Sequence, residues 1–144
     1  MIRSRKNRKI PTKNRHGRPN GFLVPIFNVH DDFVAPPQHP QQAYLTVVSP
    51  GETKGPHLHL SRWGLFTCIR GNVKIVAKTQ RGFEEHHSGE AHDFATIQVP
   101  AGVPCALVNV GTEDAYVLNL PAPAWHPDDQ DDHPVEFEGY PFPS

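Results

Sequence analysis

The chain has 144 residues, of which 14 are Lys or Arg and 15 are Asp or Glu, so its formal net charge is −1. This length is typical of one domain that can bury a sizeable core. No run approaches the ~18 apolar residues of a transmembrane helix, and the polar N-terminus does not resemble a signal peptide, so we expect no contact with a membrane.

The two ends of the chain carry opposite charge. Eight of the fourteen Lys and Arg residues fall in the first 18 positions, and six of the fifteen acidic residues fall near the C-terminus. We interpret residues 1–20 as a basic, flexible arm and residues 127–144 as an acidic strap on the surface of the domain. The arm has no interleaved aromatic residues for base stacking, so no nucleic-acid partner is expected. Three aromatic side chains of the strap are expected to pack on the domain: Phe137, Tyr140 and Phe142.

Between these ends, residues 21–126 show a β pattern throughout. Short runs rich in β-branched and aromatic residues are bounded by Gly, Pro, Asn or Asp, and no helical period extends over ten residues. Gly71 and Asn72 separate two of these runs and predict a hairpin turn. About eight short strands predict an all-β sandwich or barrel. In chain order, the predicted strands lie in residues 21–29, 43–50, 55–60, 65–71, 72–79, 94–100, 105–111 and 115–121.

The positions of the cysteines and histidines indicate which kinds of site the chain can form. Cys68 and Cys105 both lie in predicted strands, so a disulfide framework is not expected and a reducing cytoplasm fits the sequence. Residues 83–93 contain three histidines and four carboxylates, yet they show no strand period and predict a hairpin tip. His57 and His59 lie two residues apart in a predicted strand, so their side chains share a face and can bind a metal or move a proton.

Two groups of residues together resemble the two motifs of the cupins. The first motif is matched by Gly51, His57, His59 and Gly71, and the second by Pro100, Gly102 and Asn109. The resemblance implies a single-domain double-stranded β-helix, which is a jelly roll, and a homodimer. Metal-binding cupins use a Glu and a third His where this chain has Gly64 and Cys105. A small metallocupin that binds zinc or copper through His57, His59 and Cys105 is therefore one alternative.

A narrower resemblance is to the dTDP-4-dehydrorhamnose 3,5-epimerases and the related sugar-nucleotide 3,4-ketoisomerases. It rests on the order of "GFLVPIF", "YLTVVSPGETKGPHLH", "FTCIRGNVKIV", "IQVPAGV" and "NVGTEDAYVLNLPAPAW", and on the basic-Gly-x-His-x-His pattern of residues 54–59. The resemblance implies proton transfer next to the ketone of a dTDP-4-keto-6-deoxyhexose, without metal or other cofactor. A non-catalytic carbohydrate-binding cupin is a second alternative.

The same resemblance assigns roles to individual residues. His57 matches the base of the epimerases and His59 the second histidine of the ketoisomerases. Trp125 stands where the epimerases have a proton-donating tyrosine, and tryptophan cannot take over that role. His126 is therefore a candidate acid. Without the usual acid, a ketone shift is easier to explain than double epimerisation. An acidic residue of the strap, Asp128 or Asp129, is a candidate to orient a barrel histidine. The expected substrate-binding residues are Lys54, Arg62, Trp63, Cys105, Asn119 and Trp125.

Overall fold

The protein, described over residues 1–143 by a computed structural model, is built from β-strands and two short 3-10 turns, Pro36–Gln38 and Glu90–His92. Within residues 1–143, no helix has the length and apolar character needed to cross a membrane. The strands are β1 Arg3–Arg5, β2 Ile10–Lys13, β3 Pro19–Leu23, β4 Tyr44–Val48, β5 Thr53–Leu58, β6 Gly64–Arg70, β7 Asn72–Thr79, β8 Gly82–Gly89, β9 Thr96–Val99, β10 Cys105–Asn109, β11 Ala115–Asn119 and β12 His133–Pro134.

Two five-stranded antiparallel sheets face each other, as predicted for a jelly roll. One sheet has the order β1-β9-β6-β11-β4 and the other the order β12-β5-β10-β7-β8, while β2 and β3 form a separate hairpin. Alternate residues of each strand point between the sheets, and their burial supplies most of the stabilisation. The core between the sheets consists of Ile2, Val48, Cys68, Val73, Ile75, Ala77, Ile97, Val99, Leu107, Ala115 and Val117.

Three local expectations differ from the structure. The run 21–29 is a strand only as far as Leu23, and Pro25, which has no N–H to donate, follows soon after. Gly71 does not close a hairpin, because β6 and β7 belong to different sheets and its turn carries the chain from one sheet to the other. Residues 83–93 are not a hairpin tip, since β8 pairs with β7 over its whole length. β8 lacks a clear apolar alternation because it is an edge strand with most of its side chains partly exposed.

The N-terminal residues are more structured than a flexible arm. β1 extends the first sheet by pairing with β9, and β2 pairs with β3. Arg3 and Arg5 both lie over the ring of Phe33, and Arg5 forms an ion pair with Asp31. Two of the basic residues of this region thus have structural partners, which their clustering in the sequence does not reveal.

The C-terminal strap packs on the outer face of the second sheet. Phe137 is buried against Val76, Ala106 and Val108, and Tyr140 and Phe142 pack beside it. The Tyr140 hydroxyl donates a hydrogen bond of 2.6 Å to Glu85 on β8. The strap therefore has an apolar anchor at its far end, as its aromatic residues predicted.

Replacing Phe137 with alanine tests this anchor. We expect Phe137→Ala to lower the free energy of unfolding by about 3 kcal/mol, because it removes a buried ring and leaves a cavity under the strap. Urea denaturation measures the change. Phe22→Ala is the matched control, since Phe22 is 52% exposed on the β2–β3 hairpin and its loss should cost less than about 1 kcal/mol. Equal losses in the two variants would contradict the anchoring role.

Candidate functional site

The pair His57 and His59 lies at the end of β5, at the mouth of the space between the two sheets. In the register between β5 and β10, His57 is the partner of Cys105. Gly55 has a φ of +92°, and a Cβ there would lie 3.0 Å from Cδ2 of His57 and 3.1 Å from the carbonyl oxygen of Cys105. Glycine at this position therefore lets β5 pass close to β10 and leaves room for the imidazole of His57.

The imidazole of His57 faces a carboxylate that comes from the strap. Its Nδ1 atom lies 2.8 Å from Oδ1 of Asp132, although the two groups are not aligned as a hydrogen bond, and among the described residues Nδ1 has no other partner. Nδ1 itself is buried, whereas the His57 side chain as a whole is 43% exposed, so the exposure lies on the other side of the ring. A carboxylate at Nδ1 leaves Nε2 as the nitrogen that can accept a proton from a ligand.

The second histidine has different electrostatic surroundings. The ring centroids of His57 and His59 are 6.4 Å apart, and Nε2 of His59 lies 3.8 Å from Oδ1 of Asp132. Burial and then the positive charge of Arg62 lower the pKa of His59, against the opposing effect of Asp132. His59 is therefore neutral at neutral pH and is available as a proton acceptor or hydrogen-bond partner.

The residue before Asp132 fixes the strap to the barrel. The carboxylate of Asp131 accepts hydrogen bonds from three successive backbone N–H groups, those of Leu60 at 2.7 Å, Ser61 at 2.9 Å and Arg62 at 3.0 Å. Although burial alone would raise the pKa of Asp131, these N–H donors hold it below its ordinary value. The strap then continues as β12, which pairs with β5 beside His57. Asp132 is thus held against the imidazole from both sides.

These groups surround a cavity of about 220 Å³ that opens to solvent. Its walls combine the two histidines and Asp132 with two cations, and the remaining surface is largely apolar. Lys54 donates a 2.9 Å hydrogen bond to Oγ1 of Thr46, and Arg62 donates one of 3.1 Å to the carbonyl of Gln130. The lining residues are Tyr44, Thr46, Lys54, His57, His59, Arg62, Phe66, Ile75, Cys105, Ala106, Leu107 and Asp132.

The structure brings together five of the predicted site residues and separates the others. Those that line the cavity are His57, His59, Lys54, Arg62 and Cys105. Asn119 is buried beside it, where Oδ1 accepts from the Leu65 N–H at 3.0 Å and Nδ2 donates to the Tyr44 hydroxyl at 2.7 Å.

Trp63, Trp125 and His126 are not among the residues that line this cavity. The backbone of Trp63 pairs with that of Ala122. The backbone N–H of Trp125 donates a hydrogen bond to the side-chain oxygen of Gln42. Trp125 is 46% exposed, and the His126 side chain is 65% exposed beside Asp128. Among residues 1–143, neither Trp125 nor His126 has a contact that supports a role in proton transfer at His57.

The alternative metal site does not fit the observed side chains. Within residues 1–143, no three His, Cys, Asp or Glu side chains are arranged to hold a metal ion. Burial raises the pKa of the Cys105 thiol to about 12, whereas a metal ligand must be the thiolate. A Cβ at Gly64, where metal-binding cupins have a carboxylate, would overlap the ring of Phe66. The geometry therefore gives no support to a metallocupin built on His57, His59 and Cys105.

Comparison with solved structures identifies the fold. A dTDP-sugar isomerase from Desulfovibrio desulfuricans superposes with a TM-score of 0.78 at 14% identity, covering 96% of this chain and 85% of that one. The chain has the cupin fold of dTDP-sugar isomerases and epimerases. A dTDP-4-dehydrorhamnose 3,5-epimerase from Sulfolobus tokodaii gives a TM-score of 0.75 at 15% identity, over 99% and 81% of the two chains. A sugar 3,4-ketoisomerase from Thermoanaerobacterium thermosaccharolyticum in complex with TDP gives 0.67 at 17%, over 91% and 85%. No protein-family model and no curated protein matches the sequence.

The sequence analysis did not identify three polar residues of the cavity, which are Tyr44, Thr46 and Asp132. Asp132 lies only three residues beyond Asp129, but the strap could not be placed without knowing how it crosses the barrel. Its position follows from the pairing of β12 with β5. Tyr44 begins a strand that was predicted, and the alternation of β4 was the signal that could have identified it as an inward-facing residue beside Thr46.

The pKa of His59 predicts how stability depends on pH. Because this pKa is below its ordinary value of 6.5, the unfolded chain binds a proton at His59 before the folded protein does. The contribution to stability is thus fully present above pH 6.5 and is lost as the pH falls toward the folded-state pKa. We expect His59→Gln to reduce the loss of stability between pH 7 and pH 5, as measured by urea denaturation. His30→Gln, at an exposed histidine, is the control, and an unchanged slope in His59→Gln would contradict the interpretation.

The poor fit of the metal site also leads to a test. We expect the protein purified without added metal, and then titrated with zinc, to bind less than one zinc per chain at the cavity, because deprotonation of Cys105 opposes binding. Isothermal titration calorimetry and elemental analysis measure this. One-to-one binding that is lost in Cys105→Ala but kept in Cys68→Ala would restore the metallocupin.

Proposed function

We propose that this protein is an isomerase that moves a proton next to the ketone of a dTDP-linked 4-keto-6-deoxyhexose, without a cofactor. The observation that carries the proposal is the pairing of His57 with Asp132 at the mouth of the cavity, where Nδ1 lies 2.8 Å from the carboxylate oxygen. A hydrogen on the carbon next to a ketone is weakly acidic, so its removal needs a positioned base and a stabilised enolate. The fold shared with dTDP-sugar isomerases and epimerases supports the substrate class.

His57 is the proposed base. Asp132 lies where the negative charge of a carboxylate stabilises the imidazolium that forms when Nε2 takes a proton. The neutral His59 stands on the same face of the chain and can accept or return a proton at the neighbouring carbon. The two imidazoles together can therefore serve both carbons that take part in a ketone shift.

Lys54 and Arg62 are the proposed contacts for the negative charge of the substrate. The guanidinium of Arg62 carries five N–H donors, and a single hydrogen bond, to Gln130, is found for it among the described residues. A cavity of about 220 Å³ is smaller than the ~300–1,000 Å³ of sites that enclose a whole drug-sized ligand. The sugar is therefore expected inside the cavity, with the diphosphate and nucleoside at its open mouth beside these cations.

A shift of the ketone to the neighbouring carbon fits the site better than double epimerisation. Inverting two carbons requires a proton donor on the face of the sugar opposite to the base, and His126, the residue considered for that role, does not line the cavity. A ketone shift removes and returns a carbon-bound proton on one face. One pair of histidines suffices for that part of the reaction. The homodimer and the cytoplasmic location implied by the sequence remain predictions.

Replacing His57 tests the proposal. Incubation of the wild-type protein with dTDP-4-keto-6-deoxyglucose in deuterated water should place one deuterium on the sugar and move the ketone, as read by NMR. We expect His57→Asn to lower kcat by about 100-fold or more while the fold is kept, because asparagine cannot accept the proton. Asp132→Asn should lower kcat less and leave binding of TDP unchanged. His86→Asn is the matched control, since His86 lies on β8 and contacts Glu84 outside the cavity.

Other outcomes decide between the alternatives. Deuterium at two carbons with inverted configuration would show a double epimerase with an acid outside the groups considered above. Binding of TDP with no deuterium uptake would favour a non-catalytic carbohydrate-binding protein. Wild-type kinetics in His57→Asn would remove His57 from the mechanism.

A further inference from the structure

The proposed ketone shift moves two protons, and the histidines account for one of them. When the ketone passes from one carbon to the next, a proton moves between the carbons and another moves between the two oxygens. The second transfer needs a group that can both donate and accept a proton at oxygen. His126, the residue expected to supply the acid, lies outside the cavity, and so does Trp125, which stands at the position of the epimerase tyrosine.

Tyr44 is placed to perform this second transfer. It is the first residue of β4 and lines the same cavity as His57 and His59. Thr46 lines the cavity as well and Val48 is buried in the core, so the alternation of the strand turns Tyr44 toward the same space, where its side chain is still 39% exposed. A phenol at this point can reach a ligand in the cavity from a strand of the sheet opposite β5.

The hydrogen bonds of Asn119 orient the phenol. The backbone N–H of Leu65 can only donate, so the atom of Asn119 that faces it at 3.0 Å must be the carbonyl oxygen. The amide nitrogen therefore faces Tyr44 and donates to its hydroxyl oxygen at 2.7 Å. Asn119 is 3% exposed and Tyr44 is 39% exposed, so the amide end of this hydrogen bond is shielded from water while the phenol stands at the open side of the cavity.

The hydroxyl hydrogen of Tyr44 is not used in the hydrogen bond to Asn119. The phenol oxygen accepts from Asn119, so its own hydrogen points elsewhere, and within residues 1–143 no acceptor for it is found. The proton is free to be donated to a ligand oxygen in the cavity. The amide N–H also stabilises the phenolate that remains once the proton has left.

The other polar groups of the cavity are less suited to this transfer. The guanidinium of Arg62 is a hydrogen-bond donor that has no lone pair with which to accept a proton. Burial raises the pKa of Cys105 to about 12, and Oγ1 of Thr46, a weakly acidic hydroxyl, is held by Lys54. Tyr44 is thus the neutral group of this cavity that combines a free proton with a partner that stabilises its anion.

We propose that Tyr44 is a catalytic residue that relays a proton between the two neighbouring oxygens of the sugar during the ketone shift. His57 takes the hydrogen from the carbon beside the ketone while Tyr44 protonates the ketone oxygen, which gives an enediol. The Tyr44 phenolate then takes the proton of the neighbouring hydroxyl, and His57 returns its proton to the former ketone carbon. The ketone has moved by one carbon and both side chains have regained their first state. The inference rests on the proposed isomerase activity.

The first test removes the phenol oxygen. We expect Tyr44→Phe to lower kcat for the ketone shift by about 100-fold or more, with the KM and the Kd for TDP changed less than about threefold. Tyr116→Phe is the matched control, because Tyr116 lies on the neighbouring strand β11 opposite Val47, which is exposed, and does not line the cavity. Its kcat should equal that of the wild type. Thermal unfolding of both variants verifies that the fold is kept.

The second test separates proton relay from a structural role. Replacing Tyr44 with 3-fluorotyrosine makes the phenol more acidic with little change in shape, so the alkaline limb of the kcat profile should shift to lower pH. An inactive Tyr44→Phe together with an unshifted limb in the fluorotyrosine protein would overturn the relay. A Tyr44→Phe protein with kcat within threefold of the wild type would overturn it too, while leaving the isomerase activity standing. If the wild type itself does not move the ketone, the proposed function fails and this inference fails with it.

Discussion

One carboxylate held by three backbone N–H groups positions the candidate site. Asp131 binds the N–H groups of Leu60, Ser61 and Arg62, which follow directly after β5. Hydrogen bonds to a charged acceptor contribute roughly 1.5–3 kcal/mol each. The Asp131 side chain is only 9% exposed, which limits the competition from water. Its φ of +46° turns the chain so that the next residue, Asp132, faces the imidazole of His57.

The strap serves both stability and the site. Its far end is anchored by Phe137 in the apolar cluster on the second sheet, and its near end pairs with β5 as β12. Two independent attachments make the position of Asp132 a property of the whole fold, because each limits the freedom of the segment between them. A residue that belongs to no strand of the barrel itself is thereby held within 2.8 Å of a barrel histidine.

The two imidazoles of the cavity have different electrostatic surroundings. His57 faces the carboxylate of Asp132, whereas His59 is more buried and lies beside the charge of Arg62, which lowers its pKa. Opposite them, Tyr44 and Asn119 form a second polar pair on the other sheet. A jelly roll permits this arrangement because its two sheets converge on one space, and each sheet contributes alternate residues to that space.

The sequence by itself determined the all-β fold, most of the strands and the pair His57 and His59, because the alternation of apolar residues and the i, i+2 rule are local properties of the chain. β8 was missed, since an edge strand exposes most of its side chains and loses the apolar alternation. Only the tertiary structure decided that Asp132, rather than Asp128 or Asp129, meets His57, that Trp125 and His126 lie outside the cavity, and that Tyr44 faces it. These contacts join segments that are far apart in the sequence, and their geometry is set by how the strap and β4 pack on the barrel. No local pattern encodes that packing.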